Sequence, residues 1–213
     1  MLISHSLTAA PSAVHPGVKA FIEELDEINS LLGTDSAKLK GDLDAYYRLL
    51  VASFRPHFAV DSTTRALLTA EVYDPLSKSV RQRLNDAMEM TLVRYSFRGL
   101  DAYDGQQFRA IESYVDDKAG LGWVKVEMQS PRLAPITFDI LLRRIGDGWQ
   151  AVDGRFQGIT YVTIKKYEYR LLVALNGVNG LIADLESKNR EFFQPLCQTG
   201  KLTHKDICGA YSG

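Results

Sequence analysis

The chain is poor in the groups that most chemistry uses. It has two cysteines and four histidines in 213 residues. The histidines (His5, His15, His57 and His204) are scattered, and His57 beside Pro56 reads as a loop or cap residue. No nucleophile elbow, phosphate loop, dinucleotide fingerprint or H-E-x-x-H helix is present, so the motif-defined hydrolases, nucleotide enzymes and zincins are excluded at that level. No surplus charge exists either. The formal net charge is −1, and the basic pairs Arg143-Arg144 and Lys165-Lys166 read as solvated faces. A nucleic-acid partner is therefore not expected. No apolar run reaches the ~18 residues of a membrane span. The N-terminal "MLISHSLTAAPSAVHPG" lacks the basic start and long apolar stretch of a secretory signal. On these residues alone, a cytoplasmic protein and an exported one whose signal has been removed are both open.

The two cysteines lie close together near the end of the chain. Cys197 and Cys208 flank His204 in a C-x6-H-x3-C spacing. A disulfide closing a short loop is the expectation. Two free thiols remain open, as does a metal site, although no fourth ligand is evident.

What is present is an ordinary globular composition, 46% hydrophobic and 24% charged. A chain of this length buries roughly 70% of its unfolded surface, enough for a core and a cavity. Residues 1–15 read as a flexible lead. Val18, Phe21, Ile22, Leu25, Ile28 and Leu32 then recur at helical spacing, with Gly33 as the expected stop. A second helix carries Leu39, Leu43, Tyr46, Leu50 and Phe54 and ends at Pro56. A third begins near Asp61 or Ser62 as cap, with Ala66, Leu67 and Ala70 on its apolar face. A fourth, over 77–100, presents Val80, Leu84, Ala87, Met88, Thr91 and Tyr95.

After Asp104-Gly105 the period changes from 3.6 to 2. Strands are predicted over 106–115, 123–129, 136–145 and 149–158, with "GDG" at 146–148 as a hairpin turn. Alternation puts Val124, Val126, Met128, Ile136, Phe138, Ile140, Leu142, Val152 and Phe156 on one apolar face. Helices follow at about 160–176 and 180–193. Helices first and strands second argue an α+β fold: a helical subdomain and a four-stranded antiparallel sheet. Gly154 and Gly158 would let that sheet curl away from its helices and leave a cavity. The domain plan is a lead (1–15), one domain (16–194, with helices 16–104, sheet 106–158 and helices 160–193) and a cysteine-bearing tail (195–213).

Two acids sit inside strands. Asp139 and Asp153 are the candidates for acid/base work in a small-molecule enzyme. Alternation points both away from the apolar face, so the expectation is a structural role, with Asp153 bonded to a backbone N–H or a neighbouring arginine. Tyr161, Tyr167 and Tyr169, with Arg170, form an aromatic helix on the cavity side. They suit either core packing or an amphipathic lining for an apolar ligand with a polar end.

Four stretches, "HFAVDSTTRALLT", "YDGQQFRAIE", "ILLRRIGDGWQAVDGRFQGITYVTIKKYEYRLLV" and "GVNGLIADLESK", occur in this order. Together they resemble the MlaC/toluene-tolerance family over residues 56–188. The most specific part is Gly148-Trp149, Val152-Asp153, Gly158-Ile159-Thr160 and Val162 in register. The resemblance implies a curved sheet of the nuclear transport factor 2 kind, closing with helices over an apolar cavity for acyl chains. It implies a periplasmic, monomeric, non-catalytic carrier without cofactor or metal. Its cargo would be phospholipid or a related apolar lipid, a hopanoid included. Its partners would be an inner-membrane MCE-domain/ABC transporter complex and an outer-membrane lipoprotein complex that maintain outer-membrane lipid asymmetry. The implied lining combines the apolar sheet face with Ile159, Tyr161, Val162, Ile164, Tyr167 and Leu171. The chain departs from the family pattern in Val152 and Gly154 around Asp153, in "FDILLRR", in the first helices and in the tail after Cys197.

Overall fold

A computed structural model describes residues 15–211. A 3-10 turn at Pro16–Val18 leads into α1 (Lys19–Gly41), followed by α2 (Leu43–Leu49), α3 (Val60–Leu68), α4 (Ala70–Tyr73) and α5 (Lys78–Ala102). Then come β1 (Gln107–Asp116), β2 (Leu121–Gln129), β3 (Ile136–Ile145), β4 (Gly148–Phe156) and β5 (Ile159–Thr160), and finally α6 (Tyr161–Gln198) and α7 (Lys205–Tyr211). The strands form one open antiparallel sheet in the order β1-β2-β3-β4-β5. This is the expected α+β layout with one short strand more.

The first helix does not stop at Gly33. A helical glycine costs only about 1 kcal/mol relative to alanine, and both ends of α1 are anchored. Near its start, Phe21 packs with Val124, Val126, Leu142, Trp149 and Ala151 of the sheet. At its end, Leu39 joins the core around Tyr46, Phe97 and Phe193, while the Lys40 ammonium donates to the carbonyls of Asp101 and Tyr103 at 3.0 and 2.7 Å. Asp42 then caps α2 by accepting from the Ala45 N–H at 2.9 Å.

After α2 the chain loosens into a π turn (Leu50–Phe54) and a 3-10 turn (Arg55–His57) that holds Pro56. Such irregular turns re-aim side chains where a regular helix would bury them against a neighbour. Phe58 forms an isolated parallel bridge to Ala151, and the Ala59 N–H donates to the Ala151 carbonyl at 2.9 Å. The start of α3 has no side-chain cap. Asp61, an expected cap, instead accepts from the Tyr73 hydroxyl and from Asn85.

Two bulges interrupt the sheet, at Ile111 and Val152. Before the second, Trp149 and Ala151 pair with Arg144 and Leu142; beyond it, Asp153 and Arg155 pair with Leu141 and Asp139. One extra residue in β4 therefore resets which side chains face inward. At Gln157-Gly158 both φ angles are positive, 50° and 81°. This reversal returns the chain as β5, whereas Gly158 was expected to end the sheet.

The two helices expected at the end are the halves of α6, divided at Gly177 (φ 69°, ψ 177°). Nor is the C-terminal stretch a tail. α6 continues through Pro195 to Gln198, and Leu202, Ile207 and Tyr211 are buried in the core around Tyr46 and Phe193. The sulfurs of Cys197 and Cys208 are bonded to each other, tying α6 to α7. His204 contributes its backbone N–H to Asp44 at 2.8 Å and packs its ring edge-on against Tyr47. Among the described residues no cluster of three or more His, Cys, Asp or Glu has metal-binding geometry.

Candidate lipid-binding cavity

Two hollows adjoin, one among the helices and irregular turns and the other between α1, the sheet and those turns. The first, about 330 Å³, is bordered by Leu50, Val51 and Arg55 of the irregular turns, Val60 of α3, and Glu89, Leu92, Val93, Tyr95 and Ser96 of α5. The second, about 290 Å³, is bordered by Phe21, Glu24, Leu25 and Ile28 of α1, Ser53 and His57, Thr63, Phe138 and Ile140 of β3, residues 151–154 of β4, and Tyr161. Phe58 and Leu92 border both.

The sequence explains why the space stays open. The helical turn of α1 that carries Phe21, Leu25 and Ile28 would otherwise close onto β4. There β4 presents Ala151, Val152 and the side-chainless Gly154, none of them bulky. Phe58, directly after the π and 3-10 turns, borders both hollows.

Of the residues expected to line a cavity, Phe138, Ile140, Val152 and Tyr161 border the second hollow. Val124, Val126 and Leu142 are instead in solid core against Val18 and Phe21, because α1 lies directly on those strands. Met128 is half-buried at the end of β2, opposite Ile136, which is exposed. Phe156 and Ile159 sit at the open sheet edge and are exposed. Val162 packs against the α3–α5–α6 core. Ile164, Tyr167 and Leu171 lie on the outer face of α6, with Tyr167 76% exposed. They were expected to turn inward. The inward stripe of α6 is instead Tyr161, Val162, Tyr169, Leu172 and Val173, and Arg170 donates to the Leu67 carbonyl at 3.3 Å.

Asp139 belongs to the far face of the sheet. It pairs with Arg155 at 3.0 Å, and that guanidinium stacks 4.1 Å over Trp123. Asp153 pairs in register with Leu141 on the same far face but also borders the second hollow. Its carboxylate is committed to backbone: Oδ1 accepts from Gly154 N–H at 2.8 Å and Val162 N–H at 3.2 Å. It thus anchors the first turn of α6, where a helix favours negative charge.

Few charged groups reach the hollows. Glu89 pairs with Arg55 at 2.8 Å in the first, and burial raises its carboxyl above the usual range despite that cation. Glu24 lies 3.6 Å from His57 in the second. Burial, then the nearby Tyr169 and Tyr95, raises the Tyr161 hydroxyl far above its ordinary value, so it stays neutral. The hollows are therefore apolar chambers with a few polar groups between α1, α5 and the irregular turns. Sequence reading missed α1, the irregular turns and α5 as walls. The available signal was on α5, where Leu92 and Val93 stand off the stripe of Leu84, Met88 and Tyr95. Those extra apolar residues mark a second face to cover.

The match to the MlaC family model, described as MlaC protein, spans residues 23–187. The chain belongs to the MlaC family. The match takes in α1 and α2, beyond the 56–188 over which the resemblance is legible by eye. Among solved structures, this MlaC-family fold is similar to a phospholipid-binding protein from Ralstonia solanacearum, determined in complex with a phospholipid. The TM-score is 0.72 at 16% identity, over 83% of this chain and 98% of the other. No curated protein matches the chain.

Proposed function

We propose that this chain is a non-catalytic lipid carrier that holds phospholipid or a related apolar lipid by its acyl chains in the paired hollows. One observation carries the reading: in an MlaC-family fold, two apolar chambers of about 330 and 290 Å³ adjoin at Phe58 and Leu92. The first lies at the lower end of the range of small-ligand sites, roughly 300–1,000 Å³, and the second just below it. An acyl chain of about 14 methylenes gains roughly 11 kcal/mol gross on leaving water, at about 0.8 kcal/mol per CH₂. That holds a lipid outside a bilayer only if most of each chain is enclosed. The bound lipid is cargo, and no cofactor is required. The solved Ralstonia relative, which binds phospholipid, supports the same reading.

In this proposal the protein works as a monomer in the periplasm. It moves lipid between an inner-membrane MCE-domain/ABC transporter complex and an outer-membrane lipoprotein complex, as family membership suggests. An acid/base enzyme on Asp139 or Asp153 has less support, since one carboxylate is paired with Arg155 and the other is held by two N–H groups. The test is native mass spectrometry of purified protein, followed by incubation of delipidated protein with phospholipid vesicles. Co-purifying or captured lipid is expected. Protein that stays empty in both experiments overturns the proposal.

A further inference from the structure

Glu24 is out of place by composition. Phe21, Leu25 and Ile28 border the second hollow from α1, and Glu24 falls among them on the same helical face. One carboxylate oxygen, Oε2, lies 3.6 Å from His57 Nε2. The other, Oε1, is buried and has no hydrogen-bond partner among the described residues. The comparable acid of the first hollow, Glu89, is closed off by Arg55 at 2.8 Å. The two chambers therefore differ in kind. The first is electrically complete, whereas the second presents an open acceptor to whatever occupies it.

A carboxylate can only accept hydrogen bonds. Leaving one of its oxygens bare inside an apolar chamber is costly. When a lipid fills the chamber and displaces water, a donor on the lipid can complete this oxygen. We infer that Glu24 recognises the cargo headgroup, its open oxygen accepting an N–H or O–H from an ammonium or hydroxyl donor while acyl chains fill the rest of the paired hollows. This rests on the lipid-carrier reading and adds to it an orientation and a headgroup preference.

The test uses delipidated protein and vesicles of phosphatidylethanolamine, phosphatidylglycerol or phosphatidylcholine with matched acyl chains. The first offers ammonium donors, the second hydroxyl donors, and the third neither. Lipid captured per protein is read by mass spectrometry. Uptake of phosphatidylethanolamine, phosphatidylglycerol or both is expected to exceed that of phosphatidylcholine about tenfold, and which of the two leads identifies the donor. Glu24→Leu is expected to abolish the advantage, so that the folded variant takes up the three lipids alike, whereas a purely structural role would lower all three in proportion and keep their ratio. Equal uptake of all three lipids, or a preference that survives in folded Glu24→Leu, overturns the inference while leaving the carrier reading intact. Capture of none of them overturns the carrier reading and this inference with it. If Glu24→Leu fails to fold by circular dichroism, Glu24→Gln is measured instead. Its weaker, uncharged acceptor should reduce the advantage at least threefold, and an unchanged ratio overturns the inference.

Discussion

The Thr63 hydroxyl donates to the Val152 carbonyl at 2.7 Å, joining α3 to the bulge of β4 across 89 residues of sequence. Thr63 is buried, and Val152 is the extra residue that resets the inward face of the strand. This bond ties the helical layer to the sheet at the edge of the second hollow. Thr63→Val keeps the shape and removes the donor. A loss of about 1–2 kcal/mol is expected from urea denaturation midpoints. An unchanged midpoint would mean that the bulge is held by other contacts.

Leu92 borders both hollows, so one substitution there reaches both chambers. Leu92→Trp puts a larger ring into space that the carrier reading assigns to acyl chains. The variant is expected to fold and to capture less than half the lipid of the parent in the vesicle assay. Full capture would place the cargo elsewhere.

Asp153 gives a direct comparison of anchoring with catalysis. Asp153→Ala removes the acceptor of the Val162 and Gly154 N–H groups. The expected cost is about 1 kcal/mol, the scale of a lost helix-start acceptor, with faster amide exchange in the first turn of α6. Lipid capture is expected to persist. Stability identical to the parent's would remove the anchoring role.

Alkaline pH is expected to destabilise the fold. Burial pushes the Tyr46 hydroxyl up to about 12, and burial together with the Asp61 bond pushes Tyr73 up to about 12. The unfolded chain releases these protons near pH ~10. The folded state retains them, so their stabilisation is complete below pH ~10 and is lost as pH rises toward ~12. For Tyr46 the loss is on the order of 2–3 kcal/mol. Tyr46→Phe should flatten the fall in stability between pH 8 and 11. It should also cost about 1 kcal/mol at pH 8, from the lost bond to the Ser96 carbonyl. Guanidinium melts at the two pH values measure both effects.

The Cys197–Cys208 bridge closes a loop with a sequence separation of 11. Loop-closure entropy assigns it about 3 kcal/mol. Reduction is expected to lower the melting temperature without unfolding the protein, because Leu202, Ile207 and Tyr211 remain buried in the core. Melting with and without reductant, beside a Cys197→Ala/Cys208→Ala variant, checks this.

Local patterns in the chain were enough to determine most of the longer elements and their order. Helical spacing placed α5 and the two halves of α6, and alternation placed β2, β3 and β4, because each pattern reflects burial of one face of one element. Helix ends and strand faces were less legible. Gly33 reads as a stop, yet contacts at both ends of α1 outweigh its propensity cost. Alternation sends Phe156 inward, and its pairing with Phe138 keeps it on that face, yet its place at the open end of the sheet leaves it exposed. The cavity wall was set by packing between elements distant in the chain. Phe21 and Glu24 on α1, Phe58 after the irregular turns and Leu92 on α5 come together only when α1 lies on the sheet and α5 stands off it. A sequence pattern records that a side chain is sheltered from water. Whether its shelter is another side chain or a chamber for a lipid depends on how closely two distant elements approach, and only the folded chain decides that distance.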